Sequence, residues 1–365
     1  MFFFRECQIV WFCGQKKKAM ASFIEDATAT ARIPVRIYYE DTDAGGLVHH
    51  SNYLRYFERG REHLLGCNKL TELFEESQRS FVVAGMEVVY KKGAVWGDLL
   101  EVRTTTIVHS PYRVEFRQDV YRNEELLVEG HVFMATVQGS GTSMKLCPFP
   151  DYILNGEVPG LAGENGAGTA SAAGGATAAA AVPRKRLPPP RRKVGGGRAE
   201  DDSWCSFGDG LPWLMTVYLD DTDFTNISYN ANYLKWMERA RADSIGISNL
   251  ASLRRGTEGG EPGCGAAIYN LKMSFKRGAN FGDRVIITTK AKLESDFRVA
   301  FKHELRLFKV GGDSHKSEDD ASSITDEMIA AMPLLVTAEI SLIFLSAGGS
   351  GNLVKLPNVV LTMMK

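Results

Sequence analysis

The sequence predicts an α+β protein written twice, each unit a long helix with an antiparallel sheet wrapped around it. Two observations carry this: an internal repeat, and within each repeat one stretch of helical period followed by four strand-like runs. Residues 35–66 read VRIYYEDTDAGGLVHHSNYLRYFERGREHLLG, and residues 215–246 read MTVYLDDTDFTNISYNANYLKWMERARADSIG. At a constant offset of 180, Asp41, Thr42 and Asp43 match Asp221, Thr222 and Asp223. Asn52, Tyr53, Leu54, Glu58, Arg59 and Arg61 match Asn232, Tyr233, Leu234, Glu238, Arg239 and Arg241 in the same way. Further on, YKKGAVWGD (90–98) answers FKRGANFGD (275–283) at an offset of 185. Two matched blocks at nearly one spacing identify a duplication.

Each element has a local reason. Residues 33–39 (IPVRIYY) are β-branched and aromatic, as a strand should be. After a loop of Asp, Thr and Gly, Ser51 is a good helix N-cap, and Tyr53, Phe57, Gly60 and Leu64 then fall on one face of a helix ending near Gly66. Tyr233, Met237 and Ala240 repeat that face. A tiny residue at both Gly60 and Ala240 predicts that the helix lies very close to a sheet. Strands are expected at 81–91, 98–109, 112–123 and 126–138, and again at 266–276, 283–294, 297–310 and 334–345. The apolar face of such a sheet has only the helix to bury against.

The domain plan follows: an extension at 1–31, a first unit at 32–150, a linker at 151–210, a second unit at 211–349 with an insert at 311–333, and a tail at 350–365. The linker is rich in Gly and Ala and then basic and Pro-rich (PRKRLPPPRRK), which reads as a solvated spacer, with a nuclear-import or nucleic-acid patch as the sharper alternative. The first 20 residues break their apolar run with Arg5, Glu6 and Gln8 and place their lysines after it, the reverse of a secretory signal. A plain extension, a mitochondrial presequence and a start at Met20 all stay open.

Composition narrows the function classes. Of 365 residues, 44% are hydrophobic and 24% charged, as in an ordinary globular protein, and a formal net charge of −1 gives no overall pull towards nucleic acid or an anionic membrane. No apolar run approaches the roughly 20 residues that span a bilayer. The six cysteines have neither disulfide-framework nor zinc spacing, which fits a reducing, cytoplasmic setting.

The string Y-Y-E-D-T-D-A-G-G-L-V-H-H-S-N-Y-L-R-Y-F-E-R-G-R closely resembles the 4-hydroxybenzoyl-CoA thioesterase-like hotdog family, especially the Tol-Pal-associated acyl-CoA thioesterases. The resemblance covers about residues 33–140 well and 211–347 more loosely. It implies a double hotdog forming an intramolecular pseudo-dimer, with further homo-oligomers open, that hydrolyses acyl-CoA without metal or organic cofactor. It also places the family's catalytic aspartate on Asp43 and its motif histidine on His50.

The chemistry of the residues agrees with that placement. Thioester hydrolysis needs a base or nucleophile beside the carbonyl and donors for the oxyanion. Asp43 can take either part, His50 can orient water, substrate or carboxylate, and Gly45 and Gly46 leave the backbone free to approach the thioester. Tyr53 and Glu58 complete the expected substrate-binding set, with core packing as the plain alternative for Tyr53 and a helix-surface ion pair with Arg61 for Glu58. Asp41 is expected to cap loop amides, which is also the bland reading of Asp43. Lys91, Lys92, Lys276 and Arg277 are candidates for CoA phosphates. In the second copy Asp223 remains, but Thr225, Asn226 and Asn230 replace Gly45, Gly46 and His50, so a possible second site there is expected to be impaired or specialised. The alternative function is a non-catalytic acyl-CoA-binding or assembly module on the same scaffold; a dehydratase signature is not found.

Overall fold

The computed structural model describes residues 30–139, 144–160, 203–256, 263–309, 324–346 and 352–364. The first unit runs β1 (Ala31–Arg36), α1 (His50–Leu65), α2 (Cys67–Ser77), β2 (Arg79–Tyr90), β3 (Leu99–Ser110), β4 (Arg113–Arg122), β5 (Glu125–Gln138), β6 (Lys145–Cys147) and α3 (Asp151–Leu154). The second runs β7 (Cys205–Ser206), β8 (Trp213–Thr216), α4 (Asn230–Ile245), α5 (Ile247–Arg255), β9 (Cys264–Phe275), β10 (Arg284–Ser295), β11 (Arg298–Lys309), α6 (Asp326–Ala331), β12 (Leu334–Ser346), β13 (Leu353–Val354) and α7 (Asn358–Thr362). The predicted order of strand, helix and four strands is present in both copies, with the long strands within two residues of their expected ends.

All the strands form one continuous antiparallel sheet in the order β1-β3-β4-β5-β2-β9-β12-β11-β10-β7, with β6, β8 and β13 on short side pairings. The units join where β2 pairs with β9, from Gly85 opposite Ser274 to Val89 opposite Asn270. The alternation of the pleat is visible along this seam. Met86 and Val88 meet Met273 and Leu271 on the helix side, all buried, while Glu87 and Lys272 form an ion pair at 2.9 Å on the solvent side. The buried pairs hold the seam; the exposed ion pair adds little.

Each long helix lies against its own half of the sheet. On α1, Tyr53, Leu54, Phe57 and Leu64 are fully buried, each stabilising by about 1.5–3 kcal/mol relative to an exposed side chain. The expected close approach is real: a Cβ on Gly60 would stand 2.6 Å from Thr104 Oγ1 and 3.2 Å from Val102 Cγ1 on β3. Gly130 on β5 makes room in turn for the Phe57 ring, which a Cβ there would meet at 2.5 Å.

Several expectations need correction. Ser51 is buried inside α1, and the N-cap is His49, whose ring accepts from the Ser51 N–H. The short helices α2 and α5 were not anticipated; neither has a fully buried residue, and their apolar residues Leu70, Leu250 and Leu253 are only partly buried against the core. Folded structure continues past 150 into the expected linker, because Phe149, Ile153 and Val158 are buried. It also includes β7 ahead of 211, and the expected tail carries β13 and α7, with Leu356 and Val360 in the core. Helix α6 lies in the expected insert, while the basic proline-rich stretch and the N-terminal extension fall outside the described residues. Among the described residues no helix is long and apolar enough to cross a membrane, and Cys67, Cys147, Cys205 and Cys264 form no disulfide with one another.

Gly60→Val is expected to force α1 away from β3 and destabilise the protein by about 1–3 kcal/mol, read as a lower midpoint in chemical denaturation; an unchanged midpoint would contradict the close packing described here.

Candidate active site

The Asp43 loop is a tight, self-bonded turn between β1 and α1. Asp43 N–H donates to Leu47 O at 2.8 Å, Gly46 N–H donates to Asp43 O at 2.9 Å, and Gly45 N–H donates to the Asp43 side-chain Oδ1 at 2.6 Å. Gly46 lies in the left-handed region, with φ +79°, which glycine adopts without strain. Thr42 bridges to Val48 and Leu47 to Val95, so the turn is stitched to the strand connection behind it. Asp43 itself is exposed. Asp41 has the structural role expected of it: its Oδ2 accepts from Tyr38 N–H at 2.8 Å and its carbonyl accepts from Asn52 Nδ2 at 2.9 Å.

The loop and the start of α1 face the other unit. His49 Nε2 stands 2.8 Å and His50 Nε2 3.4 Å from Glu238 Oε2 on α4. The two imidazoles stack with ring centroids 4.2 Å apart. Because His49 Nδ1 accepts from Ser51 N–H, the proton is assigned to Nε2, which donates to Glu238. Burial pushes the His50 imidazole down to about 3, reinforced by the neighbouring His49, Arg241 and Lys235 and opposed by Glu238. Burial alone would raise Glu238, but the His49 hydrogen bond and the flanking His50, His49 and Arg241 hold its carboxyl down to about 2. Neutral His50 and ionised Glu238 are therefore the neutral-pH states.

The second copy builds the mirrored contact with other chemistry. Tyr229, matching His49, donates its hydroxyl to Glu58 Oε2 on α1. Burial raises the Glu58 carboxyl above its ordinary value, partly offset by Tyr229 and Arg61. Phe224, matching Ala44, sets its ring edge-on to Phe74 of α2 at 5.2 Å. The Asp223 turn keeps the backbone of the first: Asp223 N–H donates to Ile227 O at 2.9 Å, and Asn226 takes φ +67° where Gly46 has +79°. The backbone path of the turn therefore survives the replacement of both glycines, since Asn tolerates the left-handed region. What changes is the carboxylate: Thr225 donates to Asp223 Oδ1 through its N–H at 2.7 Å and its hydroxyl at 2.5 Å.

Two other expected site residues sit elsewhere than predicted. Tyr53 is core; its hydroxyl accepts from Ala94 N–H at 3.0 Å and offers nothing to a substrate. Glu58 does not form a helix-surface ion pair with Arg61. Arg61 is buried and donates to Gln118 Oε1 at 2.7 Å, as Arg241 bonds His303 at 2.8 Å in the second unit. Its place four residues after Phe57, on the apolar face, was the available signal. Lys91 and Lys92 are tied to Glu129 and Glu125. His49 and Glu238 escaped the sequence reading because their pairing exists only across the seam. Two surface cavities, of about 380 and 350 Å³, lie beside Trp213, Asp221 and Arg239 and beside Pro34, Tyr121 and Glu124; neither is lined by Asp43 or Asp223.

Comparison with known proteins places this architecture. Residues 38–156 match the thioesterase-like superfamily and residues 225–306 the thioesterase superfamily. The acyl-CoA thioesterase YbgC of Haemophilus influenzae is 40% identical over 122 residues, which is 33% of this chain and 88% of that protein. The chain belongs to the thioesterase superfamily. It is thus a hydrolase by family, with two hotdog units where that relative's whole length corresponds to about one. The Escherichia coli acyl-CoA thioester hydrolase YbgC is 37% identical over 112 residues, 30% of this chain and 84% of its own. For the fold of the whole thioesterase chain, the 12:0-ACP thioesterase from Umbellularia californica superposes with a TM-score of 0.52 at 12% identity, covering 86% of this chain and 93% of that one.

The buried neutral His50 makes folding sensitive to acid. Its folded pKa lies below its unfolded value of 6.5, so between about 6.5 and about 3 the unfolded chain binds the extra proton and stability falls as pH falls. Glu238 adds a loss of the same sign below its ordinary value of 4.5. Thermal midpoints measured from pH 6.5 to 5 should drop less steeply in His50→Asn than in the wild type; equal slopes would contradict the assignment.

Proposed function

We propose that this chain hydrolyses acyl-CoA thioesters to the free acid and CoA at a centre built on Asp43. The carrying observation is the Asp43 turn, in which one carboxylate oxygen accepts the Gly45 N–H while the residue stays exposed beside the N-terminus of α1. The other oxygen is then available for water or a thioester carbonyl. Glycine at 45 matters for the same reason: a Cβ there would stand 2.8 Å from Asp43 Oδ1. Either Asp43 takes a proton from the water that adds to the carbonyl carbon, or its carboxylate adds first and water cleaves the resulting anhydride. In both courses the C–S bond breaks and sulfur leaves as the CoA thiol. In the first turn of α1 the Ser51 and Asn52 N–H groups are already used by His49, so the His50 N–H is the donor proposed for the oxyanion, helped by the positive end of the helix dipole. His50, the first residue of that helix, is the positioning group.

Acyl-CoA as the substrate class is supported by the relatives' activities and by the family. The Asp223 centre is assigned the lesser role, because Thr225 places two donors on one of its oxygens and Asn230 replaces His50. Its unit completes the pseudo-dimer and supplies Glu238 to the first centre.

Free-thiol release from a panel of acyl-CoAs should fall by about 10²–10⁴-fold in kcat for Asp43→Asn and far less for Asp223→Asn. An undiminished rate in Asp43→Asn would remove the proposed centre, and saturable acyl-CoA binding with no thiol release from the wild type would mark a binding module instead.

A further inference from the structure

Three donors from two units converge at one point of the seam. His49 Nε2, His50 Nε2 and a Glu238 carboxylate oxygen all lie within 4.8 Å of one another. A tetrahedral zinc ion with bonds of about 2.0–2.1 Å sets its donors about 3.4 Å apart. The His50–Glu238 separation is 3.4 Å already, and the His49–Glu238 separation of 2.8 Å must open by about 0.6 Å (3.4 − 2.8) to meet that geometry. Glu238 can move this far, since 43% of its side chain is exposed, and the same exposure leaves a solvent-facing position for a water ligand.

The surroundings also suit a cation. His50 Nε2 is buried, lies 3.4 Å from the Glu238 carboxylate and has no hydrogen-bond partner, so a polar ring nitrogen faces the cluster unsatisfied. His49 has a ready partner for its other nitrogen: with the metal on Nε2 the proton moves to Nδ1, which lies 2.8 Å from Ser51 Oγ. Fixing a ligand's tautomer through its second nitrogen is the usual support of a histidine ligand. One carboxylate and two neutral imidazoles leave a single negative charge against a divalent ion.

We propose that His49, His50 and Glu238 form a divalent transition-metal site, suited to zinc, that clips the first unit's loop to helix α4 of the second. The site departs from the metal-free chain expected from the sequence; it shares His50 and Glu238 with the proposed centre, and its test reads metal uptake and not hydrolysis. At the mirrored place Glu58 meets the Tyr229 phenol, and Asn230 stands in sequence where His50 does, so among the described residues this donor set forms on one side only.

The full chain, stripped with a chelator and dialysed, is titrated with Co²⁺ followed by its ligand-field absorption, and bound Co²⁺ is then displaced with Zn²⁺. One equivalent with a tetrahedral-type spectrum is expected. The double variant His49→Tyr/His50→Asn installs the second unit's own residues at these positions, of which Tyr229 already bonds a glutamate, and circular dichroism verifies its fold. It should lose the spectrum, and Glu238→Gln should weaken binding at least tenfold. No uptake by the wild type, or the same spectrum and affinity in the folded double variant, overturns the site.

Discussion

The antiparallel pairing of β2 with β9 governs the molecule, because it joins two sheets into one and thereby sets each long helix opposite the other unit's loop. Two exposed strand edges are covered at once. The buried side of the seam is Met86 and Val88 against Met273 and Leu271, and fusing the halves in one chain raises the concentration of each for the other. With the seam in place, each helix presents one glutamate, Glu58 or Glu238, to the residue just before the opposite helix, Tyr229 or His49.

From that mirrored frame, asymmetry arises through a few loop residues and not through the fold. The turns at Asp43 and Asp223 share their backbone hydrogen bonds, and Asn226 follows the left-handed path of Gly46. The difference lies in what surrounds the carboxylates. Asp43 has a single backbone donor on Oδ1 and stacked imidazoles nearby in sequence, whereas Asp223 has Thr225 twice and a phenol held by Glu58. Behind each glutamate an arginine is buried against the sheet, Arg61 on Gln118 and Arg241 on His303, so the helices are anchored by polar contacts as well as by apolar packing. Removing either partner of such a buried pair leaves an unsatisfied group and costs more than the bond itself contributes.

Much of this was legible in the sequence for physical reasons. Duplication is a one-dimensional signal, and period-two and helical patterns mark β2 to β5, β9 to β12, α1 and α4. Gly60 announced the helix–sheet approach because only a missing Cβ fits 2.6 Å from Thr104. Less was legible where the decisive contact is between units. His49 looked like a loop residue beside the motif histidine, and Glu58 and Arg61 looked like a surface pair, since spacing on a helix cannot say which face the other unit will cover. α2 and α5 carry short apolar stripes, with Leu70, Leu250 and Leu253 only partly buried against the core, and these stretches were not read as helices. The ends of the two units ran further than expected because a few apolar residues, Ile153 and Val360 among them, dock on the core from stretches of otherwise loop-like composition.

A crystal structure of the full chain with a non-hydrolysable 2-oxoalkyl-CoA, in which a CH2 separates the sulfur from the retained carbonyl, tests the account most directly. The carbonyl of the analogue is predicted to lie within hydrogen-bond reach of the first turn of α1, with its carbon facing the free oxygen of Asp43. Density for that carbonyl at Asp223, or in the cavity beside Trp213 and Arg239, would contradict it.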